Sequence, residues 1–112
     1  MDIPKKKRPE DKIRDDLIVL MSKLGWLCEI THGNLYQYGF PDIYAMHSSY
    51  GTRWIEVKNP NGYSFTPAQI KKFPLWMSHG VGIYILMAAT MDEYQRLFGP
   101  PNWYCFLTRH KY

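Results

Sequence analysis

Asp42, Glu56 and Lys58 are of the types, and stand at the spacing, that metal-assisted phosphodiester hydrolysis uses. Residues two apart on a strand share a face, so Glu56 and Lys58 project together while Val57 turns the other way. A hairpin that pairs Ser48 with Thr52 sets Asp42 opposite Lys58 and Tyr44 opposite Glu56. Asp42 and Glu56 are then diagonal neighbours, about 7–8 Å apart at their Cα atoms. Ile43, Ala45, Ile55 and Val57 collect on the opposite face as core, and a slip of one residue would bury the charges instead. Two neighbouring carboxylates repel unless a cation lies between them, and a hard divalent ion takes oxygen ligands. Such an ion polarises a phosphoryl oxygen and lowers the pKa of bound water. Lys58, protonated, is no ligand; it can orient the attacking water or offset charge growing on the phosphate. Pro-Asp at a strand start and Glu-x-Lys on a strand are each ordinary alone. Their order across one hairpin, followed by a capped helix bearing Gln69, is what gives the pattern meaning.

The elements that must hold these residues can be read from periodicity and punctuation. Ile13, Leu17, Leu20, Met21 and Leu24 recur at helical spacing, which predicts a helix from Glu10 to about Leu24, stopped by Gly25. Strands follow at Trp26 to Thr31, Pro41 to His47 and Arg53 to Lys58, with a loop from Gly33 to Phe40 and a turn at Ser48 to Thr52. Asn59-Pro60-Asn61-Gly62 is a strong turn cluster. Thr66-Pro67 is an N-cap with proline at the first helical position, and the helix it opens should run to about Ser78, kinked or shortened by Pro74. Val81 to Met87 predicts a buried fourth strand. Thr90 with Glu93 predicts a capping box for a short helix ending at Gly99. Trp103 to Thr108 predicts a last strand. The order is αβββαβαβ: an α/β fold with a central mixed sheet flanked by helices.

Gly39-Phe40-Pro41-Asp42, Ile55-Glu56-Val57-Lys58 and Thr66-Pro67-Ala68-Gln69 together resemble the motifs of the PD-(D/E)XK nuclease superfamily, and within it the compact VRR-NUC type. The resemblance covers about residues 10 to 87. It implies a restriction-endonuclease-like αβββαβ core, here with a short extra helix and a C-terminal strand. It also implies a divalent metal, Mg²⁺ with Mn²⁺ as a substitute, held by Asp42, Glu56 and the carbonyl of Val57. Lys58 would stand beside the attacking water, and Gln69 would hold Lys58 or the metal's water. The superfamily often adds an acid from the first helix. Of Glu10, Asp11, Asp15 and Asp16, the helical wheel places Glu10 nearest an apolar stripe centred near Leu24, with Asp11 and Asp15 turned away. Similarity to Holliday-junction resolvases implies a homodimer acting on branched DNA.

Composition sets the outer bounds. A chain of 112 residues with 46% apolar content suits one domain, read as residues 10–112, behind a flexible basic arm at residues 1–9. The net charge of +4 favours an anionic partner, nucleic acid first. Lys5, Lys6, Lys7 and Arg8 in the arm, with Lys71 and Lys72 after Gln69, are the candidate DNA contacts. The arm fits a nuclear-localisation patch and a phosphate-binding tail equally, so a cytoplasmic location, bacterial or phage-encoded, is expected with a nuclear one left open. No apolar run is long enough to span a membrane, so no membrane partner is expected, and no small-molecule cofactor either. Cys28 and Cys105 read as free thiols rather than a disulfide or zinc site. His32, His47, His79 and His110 read as surface or packing residues, and Tyr36, Tyr38 and Phe40 as loop packing that could instead line a DNA groove. Two rival functions share the fold: a non-catalytic nucleic-acid-binding module, and an interaction subunit of a larger DNA-processing complex.

Overall fold

The computed structural model describes residues 8–31 and 38–109. Lys5, Lys6, Lys7, His32, Tyr36 and His110 lie outside the described residues. The elements run α1 (Pro9–Lys23), β1 (Leu27–Ile30), β2 (Ile43–His47), β3 (Gly51–Val57), α2 (Pro67–Ser78), β4 (Ile83–Leu86), α3 (Met91–Gln95), a 3₁₀ turn (Arg96–Phe98) and α4 (Trp103–Arg109). The helix α1 starts one residue earlier than expected because Pro9 takes the first helical position, where its missing N–H costs nothing. Arg8 is therefore the N-cap of α1, not part of a free arm. Among the described residues, no helix is long and apolar enough to cross a membrane.

The four strands form one mixed sheet in the order β1-β2-β3-β4: β1 and β3 run antiparallel to β2, and β4 runs parallel to β3. Alternation divides the side chains between two layers. Ile43, Ala45, Ile55 and Val57, with Tyr84 and Leu86, face α1 and the α3 segment, where Leu17, Met21 and Leu97 complete a buried cluster. Ile83 and Ile85 face the other way, onto Phe73 of α2 and Trp103 of α4. The buried centre of the α1 stripe is Leu17 and Met21, whereas Leu24 is partly exposed.

The hairpin register differs from the expected one. His47 pairs with Gly51 and Ile43 with Ile55. Gly51, at φ +81°, closes the turn in the left-handed conformation that glycine adopts readily in hairpin loops. The shift from the Ser48–Thr52 pairing is two residues, so every side chain keeps its face and only its cross-strand partner changes.

The last element is a helix, not the expected strand. Asn102 accounts for this. Its side-chain amide accepts from the Ile85 N–H at 2.7 Å and donates to the Ile85 carbonyl at 3.1 Å. It thus occupies the outer edge of β4 as a neighbouring peptide would. With that edge taken, the segment winds up, and Trp103 and Phe106, three apart, both pack on the α2 side. Pro74 does not shorten α2, which continues through it to Ser78. Pro74 is exposed, so water can serve the carbonyl that its missing N–H leaves unmatched. The capping box at Thr90 forms only in half. Thr90 Oγ1 accepts the Glu93 N–H, but the Glu93 carboxylate turns to the Met87 N–H and to Arg96.

Candidate active site

The corrected register tightens the cluster. Extended by one pair beyond Ile43 and Ile55, it sets Asp42 directly across from Glu56. Asp42 Oδ2 accepts the N–H of Val57 at 2.8 Å. The same extension puts Pro41 across from Val57. Proline has no N–H, so the ladder cannot supply a donor to the Val57 carbonyl at that position. Pro41 is buried, and its carbonyl takes the Thr31 hydroxyl. Gly39 has a separate duty. It sits at φ +82°, and a Cβ there would lie 2.8 Å from Cβ of Ala68. The bare backbone lets the loop approach the first turn of α2, three residues before Asp42.

The start of α2 and the end of β3 are joined through Gln69. Thr66 Oγ1 accepts the Gln69 N–H at 3.1 Å, and Gln69 Oε1 accepts the Thr66 N–H at 3.1 Å, a reciprocal capping box. That same Oε1 accepts from Lys58 Nζ at 3.0 Å, and Gln69 Nε2 donates to Glu56 Oε2 at 2.8 Å. Lys58 Nζ also donates to the Ser64 carbonyl at 2.7 Å, lies 3.0 Å from Glu56 Oε2, and stands 4.5 Å from the centre of the Phe65 ring. Glu56, Lys58 and Gln69 are all buried. Burial raises the Glu56 carboxyl above its ordinary range, to about 7; the Asp42 charge adds to the rise, and Lys58 and Gln69 oppose it. Within this bonded cluster, Glu56 Oε1 is buried without a hydrogen-bond partner.

These groups line one pocket of about 290 Å³, which Val57 and Glu10 also line. The pocket therefore collects all six residues read from the sequence as catalytic or metal-binding. It also contains Asp11, which the helical wheel turned away, together with Arg8 and Arg14. The wheel fails here because the site lies against the end of α1, where residues from all around the first turn can reach it. Arg8 is held by Asp11 through two contacts of 3.2 and 3.3 Å and lies 3.6 Å from Glu10. Asp16, exposed, pairs with Lys12 instead. Sequence reading missed the Ser64 carbonyl and Arg14, and read Arg8 as a DNA contact in a free arm rather than as a residue of this pocket. The signal for Arg8 was Pro9, which marks the residue before it as a helix cap. Of the other basic candidates, Lys71 is exposed on α2, whereas Lys72 donates to the Tyr38 carbonyl and stands 5.1 Å from the centre of the Phe40 ring.

No family model matches the sequence, and no curated protein does. Comparison of folds matches the chain to a solved structure described as a VRR_NUC domain, with a TM-score of 0.66, over 83% of this chain and 98% of that one, at 15% identity. The chain has the VRR_NUC fold. Within this fold the hairpin β2–β3 and the cap of α2 bring the acidic, basic and amide groups to one point. The groups present suit a hard divalent cation. Two carboxylates face each other, Glu56 Oε1 is buried with no donor, and the Val57 carbonyl adjoins a proline. Among the described residues no three of His, Cys, Asp and Glu cluster as a metal site, so a cation here would need backbone oxygen, water or substrate to complete its shell.

Proposed function

We propose that this domain is a divalent-metal-dependent endonuclease that hydrolyses phosphodiester bonds in DNA, working as a homodimer on branched or structured DNA such as four-way junctions. The observation that carries the reading is the unmatched, buried Oε1 of Glu56. Glu56 stands across the hairpin from Asp42, and its other carboxylate oxygen is bonded to Gln69. Asp42, Glu56 and the Val57 carbonyl would hold Mg²⁺ or Mn²⁺, which supplies Lewis acidity toward the phosphoryl oxygen and makes bound water more acidic. The residues do the positioning. Lys58 has three N–H donors. Two go to fixed acceptors, the Ser64 carbonyl and Gln69 Oε1. The third, directed at Glu56, is the one that can be exchanged for the attacking water or a phosphate oxygen. Gln69 fixes both Lys58 and Glu56, so it sets their separation. Glu10, at the end of α1, stands where it could add a further carboxylate. Arg8 lies beside it as a cation for the DNA backbone, with Lys71 and the basic residues Lys5, Lys6 and Lys7 as further contacts.

A domain this small has little surface for reading sequence, which favours recognition of DNA shape. Two copies would cut the two equivalent strands of a junction. The test is incubation of the purified protein with four-way junction, flap, duplex and single-stranded DNA in Mg²⁺, in Mn²⁺ and in EDTA. Cleavage in metal, at least 100-fold slower in Asp42→Asn with DNA binding retained, is expected. No cleavage of any form in either metal overturns the reading.

A further inference from the structure

Beside the catalytic pocket, on the same sheet face, lies a second cavity of about 400 Å³, lined by Phe40, Trp54, Leu75, Trp76, His79 and Val81. Its rings meet edge to face: Trp76 lies 4.8 Å from Phe40 at 78° and 4.9 Å from Trp54 at 73°. Tyr44 continues the row, 4.5 Å from Trp54. None of this is needed to position Asp42 or Glu56.

We propose that this aromatic slot receives one unpaired nucleobase of the DNA strand whose phosphate lies at Asp42 and Glu56. The inference rests on the nuclease reading above and narrows its substrate class to DNA with an unpaired nucleotide beside the cleavage point. Position is the first argument. Trp54 precedes Glu56 by two residues on the same face of β3, so the slot begins about 7 Å from Glu56 along the strand, and the Phe40 ring closes on it 6.1 Å from that of Trp54. A strand bound at the pocket passes the slot within a nucleotide or so. Charge is the second. No acidic residue lines the slot, and the Lys72 ammonium, 5.1 Å from the Phe40 ring, stands at its border with an anionic backbone's path.

The third argument is chemical. Aromatic side chains stack on any base, but only one taken out of the duplex can present its face. The rim also carries a polar group suited to a base edge. His79 Nδ1 lies 2.9 Å from the Leu75 carbonyl, which can only accept, so Nδ1 carries the hydrogen. In the neutral ring Nε2 is then an acceptor. It has no partner among the described residues and is available to an N–H of the base.

The test reads binding in EDTA, so it does not depend on cleavage. Eight-nucleotide single strands are titrated against tryptophan fluorescence, intact or with one abasic nucleotide moved along the strand. Leu75→Glu serves as the protein variant: Leu75 is 53% exposed, so the fold should survive, which circular dichroism checks. The expected result is quenching by the intact strand and about tenfold weaker binding for Leu75→Glu. In a junction substrate, an abasic site at one position next to the cleaved bond should weaken binding by a similar factor while other positions do not. Cleavage with a flat abasic scan and unaltered Leu75→Glu binding overturns the slot and leaves the nuclease reading intact. A position-specific loss without cleavage in any metal supports the slot and overturns the nuclease. If Leu75→Glu changes only the oligomeric state, the cavity is a protein interface and the proposal fails.

Discussion

Replacing Glu56 with glutamine should stabilise the metal-free protein, and should do so only above neutral pH. Glu56 is 3% exposed, and its carboxyl is raised from an ordinary 4.5 to about 7 by burial and by Asp42. An acid with a raised folded pKa binds its proton more tightly folded than unfolded. Its stabilising effect is whole below the unfolded value and is lost as pH rises through the folded one. The difference of about 2.5 units corresponds to about 3 kcal/mol of stability lost between roughly pH 4.5 and pH 7 and above. Glutamine stands in for the protonated acid and should remove that slope. At pH 8 in EDTA, Glu56→Gln should therefore exceed the wild type by about 3 kcal/mol, or roughly 10–20 °C in Tm for a domain of this size. At pH 4.5 the two should coincide. Urea unfolding across pH 4.5 to 8.5 measures both. Mg²⁺ at pH 8 should recover much of the loss in the wild type and little in the variant, because a cation stabilises the ionised form. Parallel pH profiles for the two proteins would refute the claim that Glu56 carries an unfavourable buried charge.

Three more outcomes follow from the geometry. Gln69→Ala removes the bonds to Lys58, Glu56 and Thr66, so stability should fall by about 1–3 kcal/mol. Its kcat should fall with little change in DNA affinity measured in EDTA. Gly39→Ala forces a Cβ against Ala68 at positive φ, so thermal unfolding should show a loss above about 1 kcal/mol, and cleavage should slow because Asp42 moves with the loop. Asn102→Ala leaves the outer N–H and carbonyl of Ile85 without their amide, at a cost of about 1–2 kcal/mol in urea unfolding, and should leave cleavage unaltered.

Much of this was legible in the sequence because alternation and capping are local rules. The face shared by Asp42, Glu56 and Lys58 survived a two-residue error in register, since the side-chain period is two. Thr66 and Gln69 announced their cap in four letters. What failed was non-local. Trp103 to Thr108 is rich in β-prone residues, and only the Asn102 amide on β4, seventeen positions from Ile85, decides against a strand there. Asp11 was missed for a related reason: a helical wheel orders residues around an axis but says nothing of what lies beyond the helix end. The Ser64 carbonyl was invisible because backbone acceptors carry no sequence signature.

The double duty of Gln69 ties two events together. The amide that closes the first turn of α2 also spaces Lys58 from Glu56, so the helix start and the cluster form or fray as one unit. Local opening of that turn would take the cluster apart with every strand still paired. Amide hydrogen exchange at Gln69, whose N–H is held by Thr66, should then report the fraction of molecules with an assembled cluster, and DNA bound in the pocket should slow that exchange more than exchange on the far side of the sheet.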